Sequence, residues 1–402
     1  MAGRVRHPID VEALEKYIKQ HVPEIQVPLD VKQFGFGQSN PTYQLTSPDA
    51  KRYVLRKKPP GKLLSKAAHK VEREHRILTA LGPTDVPTPR TYCLCEDASV
   101  VGTPFYIMEF LDGRIFEDPA MPEARSPEER RALWRSAVDT LARLHRVSPR
   151  DVGLETYGKS SGFYDRQLAT WRQICEAQAR AVDADTKEPV GQLPHFDDLL
   201  AFFGGSDNGS SGDDDKDSKR RRKMPTSQPR DRGTLIHGDY KIDNLVFHRT
   251  EPRVIGILDW EMSTVGHPLS DLANIMHPFY IASGSGEGNS INAMRHAGSS
   301  EAFLPGRTPG LPAPAELMQW YAKTAGWDPR PEMNWAVAFS VFRLSAICQG
   351  IAARVATRQA SSEKARNHAE AMYPLAEFAW GLVEKEVQGE GAENKKRIAS
   401  KL

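Results

Sequence analysis

The chain has 402 residues, 39% of them hydrophobic, which is enough to bury a large core and suggests two or three domains or one two-lobed enzyme. Its 54 basic and 52 acidic residues leave a net charge of +2, which gives no case for a nucleic-acid or acidic-membrane partner. Four cysteines (Cys93, Cys95, Cys175, Cys348) are too few for a disulfide framework, so buried thiols in a reducing compartment are expected; neither a membrane-spanning stretch nor a signal peptide is read.

A helix is predicted from Val11 to Gln20 within a polar lead-in, and residues 31–111 then read as strand-rich with one helix. Phe34-Gly35-Phe36-Gly37-Gln38-Ser39-Asn40 reads as a turn-forming loop, Thr42–Leu45 and Tyr53–Arg56 as strands, and Ser47-Pro48-Asp49 as the turn between them. A helix is predicted over Lys66–Leu81, ended by Gly82-Pro83. Within it Val71, Leu78 and Leu81 make an apolar stripe that includes Glu74 and leaves Glu72 pointing away. A glutamate on an inward face needs a cation, and Arg56 on the preceding strand can supply one. Thr103–Leu111 reads as a buried strand.

Beyond that point the pattern is mainly helical. Ser126-Pro127-Glu128-Glu129 has the form of a capping box, with Leu133, Ala137, Leu141 and Leu144 following at helical spacing. Further helices are predicted near 167–180, 315–326, 333–356 and 361–386. Gly153 to Ser160 (GLETYGKS) matches the phosphate-binding P-loop formally, but no strand precedes it, so a linker between helices is expected. Residues 204–233 are Gly, Ser, Asp and basic, with almost nothing to bury, and are expected to form a disordered insertion. Residues 281–312 read as a long surface loop.

The most informative stretch is Leu235–Trp260, LIHGDYKIDNLVFHRTEPRVIGILDW. It sets Asp239 and Asn244 in the order D-x-x-x-x-N, and Asp259 closes the apolar run Val254–Leu258. Phosphoryl transfer needs a carboxylate to orient an alcohol and hard oxygen ligands for magnesium. The trio of Asp239, Asn244 and Asp259 offers both kinds of group, in an order that protein kinases also carry. His237 reads as a structural hydrogen-bonder, Lys241 as a residue that reaches the phosphate or faces solvent, and Asp271 as a helix-start carboxylate. The last three residues, Ser400-Lys401-Leu402, form the peroxisomal address read by an import receptor, and they follow a polar tail.

These residues carry a resemblance. His-Gly-Asp-x-x-x-x-Asn (His237–Asn244) followed by Ile257-Leu258-Asp259-Trp260 resembles the aminoglycoside phosphotransferase family of small-molecule kinases. Val71–Glu74, Val86-Pro87-Thr88-Pro89 and Tyr106–Phe110 fit the same order, and the likeness is nearest to the kinase module at the front of acyl-CoA dehydrogenase fusion proteins. The resemblance implies an α+β, two-lobed, protein-kinase-like fold. Residues 1–111 would form a β-rich nucleotide-binding lobe, 112–388 a helical lobe carrying the catalytic loop and acceptor site, and 389–402 a flexible tail. It implies ATP and magnesium as cofactors, with Asp239 as the catalytic base, Asn244 and Asp259 as the magnesium ligands, Gly35, Gly37 and Ser39 (or Asn40) over the phosphates, Arg56 and Glu74 as the phosphate-orienting pair, and Met108, Glu109 and Phe110 against adenine. The implied acceptor is an alcohol, with a hydroxyacyl-CoA of fatty-acid breakdown as the expected substrate. Arg343 and Arg354 are candidates for a basic rim toward CoA.

Overall fold

A computed structural model describes residues 2–35, 40–59, 70–204, 228–284, 301–360 and 365–399. The chain groups into two compact units that interleave along the sequence. The first comprises Met1–Glu117, Arg135–Gly158 and Leu235–Thr264; the second comprises Asp118–Trp134, Lys159–Thr234 and Val265–Leu402. The segment with the Asp-Asn-Asp trio therefore folds with the opening 117 residues.

The first unit is built on an antiparallel sheet of β1 (Ala2–Gly3), β2 (Asp30–Phe34), β3 (Thr42–Thr46), β4 (Arg52–Lys57), β5 (Thr91–Cys95) and β6 (Phe105–Glu109), in the order β1-β2-β3-β4-β6-β5. Side chains alternate across each strand. On one face Tyr43, Leu45, Tyr53, Leu55, Phe105 and Ile107 bury against Leu14 and Ile18 of α1 (Val11–His21). Full burial of each such aliphatic side chain contributes roughly 1.5–3 kcal/mol. Arg52, Val54 and Arg56 take the other face, as do their β6 partners Met108 and Tyr106.

Helix α2 (Val71–Leu81) buries Val71, Glu74, Ile77, Leu78 and Leu81, as the stripe predicts; the expected start at Lys66 lies outside the described residues. The short α3 (Ala98–Val101) precedes β6. After β6 the chain approaches a second hairpin closely. Arg114 N–H donates to Phe247 O at 2.7 Å and Phe247 N–H returns to Arg114 O at 2.8 Å. A Cβ on Gly113 would stand 2.3 Å from Phe247 O, so only glycine allows this lacing.

Helix α4 (Pro127–Arg146) starts at the expected cap: Glu129 N–H donates to Ser126 Oγ at 3.2 Å, while the Glu129 carboxylate reaches back to Arg125 N–H. The second unit holds α5 (Phe163–Ala179), α6 (Phe196–Gly204), α7 (Leu269–Gly284), α8 (Pro314–Ala325), α9 (Arg330–Ala356), α10 (Ala365–Glu370) and α11 (Met372–Ala399). Its centre is α9, packed against α5, α7, α10 and α11. By length and composition α9 could cross a membrane, contrary to the sequence reading; two thirds (67%) of its apolar window is buried within the chain. It is apolar on several faces because helices surround it.

Three other expectations need correction. Residues 228–233 are held in place: Arg232 pairs with Glu332 at 2.5 Å and Gln228 Nε2 donates to Asp165 at 3.1 Å, so the predicted disordered insertion does not extend to them, and 205–227 lie outside the described residues. The predicted loop 281–312 begins inside α7, and Phe303 is buried against Trp134 and Phe279. Helix α6 was missed because its apolar positions, Leu199, Leu200, Phe202 and Phe203, read as a run without period.

Candidate active site

The site is assembled within the first unit. Arg56 projects from β4 to the face shared with α2, and Lys57 falls on the opposite face, where its ammonium donates to Val101 O at 2.6 Å. This alternation selects the arginine for the site. Arg56 Nε stands 3.1 Å from Glu74 Oε2, and Arg56 Nη2 lies 2.7 Å from Asp259 Oδ1 and 3.7 Å from Glu261 Oε2. Glu74, 1% exposed, also accepts from Tyr106 Oη at 3.0 Å and Asn40 Nδ2 at 3.0 Å. Burial pushes the Glu74 carboxyl up to about 7, against the opposing pull of Arg56 and the Tyr106 hydroxyl. Burial disfavours the Arg56 cation, yet Glu74, Tyr106 and Asp259 outweigh it and hold the guanidinium charged. Glu72 faces away and pairs with Lys58.

The segment that carries the trio runs through β7 (Thr234–Ile236), a single 3-10 turn (Ile242–Asn244), β8 (Leu245–Phe247) and β9 (Val254–Ile257), with β10 (Thr264–Gly266) beyond it. Antiparallel pairing of β8 with β9 brings Leu245 opposite Ile257, which sets Asn244 near Asp259. The backbone of Leu258 ties the pieces together. Its N–H donates to Asn244 O at 2.8 Å, and its carbonyl accepts from His237 Nε2 at 2.8 Å. His237 Nδ1 accepts from Asp239 N–H at 3.2 Å, so the network assigns a neutral, Nε2-protonated imidazole. His237 is thus the structural hydrogen-bonder expected from the sequence. Gly238 has φ +86°, and a Cβ there would meet Met262 O at 2.6 Å; both facts require glycine beside Asp239. Ile257 N–H donates to Pro87 O at 3.1 Å, which gives the Val86–Pro89 motif its role.

Asn244 Nδ2 donates to Asp239 O at 2.9 Å and to Asp239 Oδ2 at 3.1 Å. Asp259 takes the left-handed conformation (φ +66°) and starts a 3-10 turn, Trp260–Met262, that aims its carboxylate at Arg56. The Lys241 ammonium lies 3.6 Å from Asp239 Oδ2 and 3.2 Å from Asp243 Oδ2. Burial disfavours that ammonium, but the two aspartates outweigh it and raise its affinity for the proton.

Asp239, Asn244, Asp259, Arg56 and Glu74 are therefore brought together, linked through Arg56 and Asn244. The donor set fits magnesium. With the Asn244 amide nitrogen committed to Asp239, its oxygen remains to accept, and Asp259 adds a carboxylate. Among the described residues no three His, Cys, Asp or Glu side chains meet as a metal cage. One carboxylate and one amide oxygen suit a hard cation that takes its remaining ligands from water and phosphate.

The nucleotide-facing expectations come out unevenly. Gly35 follows β2, with its carbonyl held by Arg6 Nη2 at 3.3 Å; Gly37 and Ser39 lie outside the described residues. Asn40 is fully buried on Glu74 and so supports the ion pair, where a phosphate donor was expected. Met108 is buried in β6, Glu109 N–H donates to Arg90 O at 2.8 Å, and Phe110 stacks on Phe34 under the Arg52 guanidinium. Tyr106 and Glu261 were missed. Tyr106 carried a usable signal, since strand alternation around a pairing with Arg56 puts it on the Glu74 face. Asp271 is buried in the first turn of α7, and Arg343 on α9 lies 3.5 Å from Asn274 Oδ1. Ser400-Lys401-Leu402 lies outside the described residues.

Comparison with known proteins agrees with this geometry. Residues 30–311 match the family model described as the phosphotransferase enzyme family, APH. Acyl-CoA dehydrogenase family member 11 of Rattus norvegicus is 38% identical over 377 residues, covering 92% of this chain and 43% of that protein. Acyl-CoA dehydrogenase family member 10 of Mus musculus is 35% identical over 380 residues, covering 94% of this chain and 31% of that protein. The chain thus spans less than half the length of these relatives. A crystal structure from Ralstonia eutropha, provisionally described as an aminoglycoside phosphotransferase, shares 34% identity at a TM-score of 0.75 and covers 94% of this chain and 99% of its own. An ethanolamine kinase of Plasmodium vivax shares the fold at a TM-score of 0.51 and 14% identity, covering 90% of this chain and 88% of its own. The antiparallel sheet and the helical remainder are those of a protein-kinase-like α+β fold, and the chain belongs to the APH phosphotransferase family.

Proposed function

We propose that this chain is an ATP- and magnesium-dependent kinase that phosphorylates an alcohol group of a small molecule. The observation that carries the reading is the single constellation in which Arg56 bridges Glu74 and Asp259 while Asn244 holds Asp239. In this reading Asp239 accepts a hydrogen bond from the acceptor hydroxyl, orients its oxygen in line with the terminal phosphorus of ATP and takes the proton. Arg56, held charged by Glu74, neutralises phosphate oxygens with a guanidinium that needs no reorganisation. Asn244 and Asp259 would hold magnesium, which neutralises charge on the nucleotide phosphates when bound.

A hydroxyacyl-CoA is the proposed acceptor, and the peroxisome the proposed location. Kinship to acyl-CoA dehydrogenase family members supports the first, and the Ser400-Lys401-Leu402 sequence, as a ligand for the import receptor, supports the second. The test is an ATP-consumption screen of the purified chain with hydroxyacyl-CoAs, amino alcohols, sugars and aminoglycosides, run beside Asp239→Asn. Acceptor-dependent ADP formation that Asp239→Asn abolishes supports the reading. Nucleotide or acyl-CoA binding without turnover on any acceptor would leave a silent binding protein instead. A fluorescent protein carrying residues 389–402 should become punctate with a peroxisomal marker, and a diffuse signal would remove the location from the proposal.

A further inference from the structure

The segment Gly153–Tyr157, part of the formal P-loop match, is a series of turns with φ +68° at Gly153, and its tyrosine has a different use. Tyr157 is buried between two elements of the site. On one side the Arg73 guanidinium lies 3.7 Å from its ring centroid and donates to Tyr157 O and, at 3.2 Å, to Ser263 O. Arg73 is the residue before Glu74 on α2. On the other side the Tyr157 hydroxyl meets Ser263 Oγ at 2.6 Å, and Ser263 Oγ donates to Trp260 O at 2.6 Å. Trp260 follows Asp259. The Tyr157 hydroxyl also donates to Arg73 O at 3.2 Å, so the one oxygen touches both the backbone of α2 and Ser263.

Arg56 joins Glu74 to Asp259 through their carboxylates; Tyr157 joins the backbones that carry those carboxylates, through a separate set of bonds. We propose that Tyr157, with Arg73 and Ser263, is a positioning clamp that fixes the separation of Glu74 from Asp259 and so the width of the site that a magnesium-bound nucleotide must fit. Two independent ties between the same elements make the separation over-determined, which preorganisation at a charged site requires. The proposal rests on the kinase reading only for its consequence, since the clamp itself is a property of the folded chain.

The test compares Tyr157→Phe with Arg76→Ala in the full chain. Arg76 also ties α2 to this segment, through Gly153 O at 3.2 Å and Thr156 Oγ1 at 3.1 Å, but is bonded to nothing in the Asp259 turn. Amide hydrogen exchange without nucleotide should run about tenfold faster in both α2 and residues 257–263 for Tyr157→Phe, and in α2 alone for Arg76→Ala. Mg·ADP affinity, read by calorimetry, should fall about tenfold for Tyr157→Phe and hold for Arg76→Ala. Exchange that rises in one segment only for Tyr157→Phe, or affinity lost equally by both variants, overturns the clamp. If the unaltered chain binds no Mg·ADP, the kinase reading fails, and the exchange data still decide whether the clamp exists.

Discussion

Replacing Arg56 by alanine should make stability fall more steeply with pH, between pH 6 and 8, than it does in the unaltered protein. Glu74 has its folded carboxyl raised from 4.5 to about 7. A raised acid favours the folded state only while protonated, so its contribution is complete below pH 4.5 and is lost as pH climbs to 7. Above 7 both states are ionised and the dependence ends. The span, 7 minus 4.5, corresponds to roughly 3 kcal/mol at about 1.4 kcal/mol per unit. Arg56 supplies the main opposing pull on that carboxyl, so its removal moves the folded value higher still and extends the loss past pH 7. For a further rise of two units, the gap in stability between the protein and Arg56→Ala should widen by roughly 1 kcal/mol from pH 6 to pH 8, on top of a cost of about 3–5 kcal/mol for breaking a buried pair. Urea unfolding at pH 6, 7 and 8 measures the gap. Adding Glu74→Gln to Arg56→Ala removes the titrating group and should abolish the widening. A gap that stays constant with pH, or that widens equally in the double variant, refutes the account of Glu74.

Asp239→Asn should lower turnover about 10²–10⁴-fold while unfolding stays within about 1 kcal/mol, because the replacement still accepts from Asn244 and the side chain is only partly buried. Asp239→Asn activity close to that of the unaltered chain would remove the base assignment. Gly238→Ala forces a Cβ into a left-handed residue against Met262 O, and should cost at least 1–2 kcal/mol in thermal unfolding together with most of the activity. His237→Phe strips partners from Leu258 O and Asp239 N–H, at about 1–3 kcal/mol each where burial is complete, and calorimetric unfolding should register the loss without any change in acceptor preference.

How much of this was legible beforehand depends on how far each signal reaches along the chain. Gly238, Asp239, Asn244 and Asp259 are set by local constraints: a turn that only glycine enters, a one-turn helix, and a short hairpin whose register brings position 244 near 259. Such constraints are written in spacing, so the trio could be read directly. Glu74 was legible from helical periodicity, and its pairing with Arg56 from the rule that a buried carboxylate needs a cation. Tyr157 and Ser263 sit some 84 and 190 positions beyond Arg73, and their meeting depends on the packing of segments far apart in sequence. No periodicity spans that distance. The same gap explains the interleaving of the two units. A boundary drawn at 111 follows the change from strands to helices, whereas compactness follows which side chains bury together, and the apolar strands β8 and β9 bury with the sheet-bearing unit even though helices precede and follow them. Asn40 shows the inverse case. Its place in a glycine-bearing loop suggested a phosphate donor, but the acceptors of a buried glutamate claimed it first, because leaving a buried Glu74 short of donors costs more than leaving a loop amide to water.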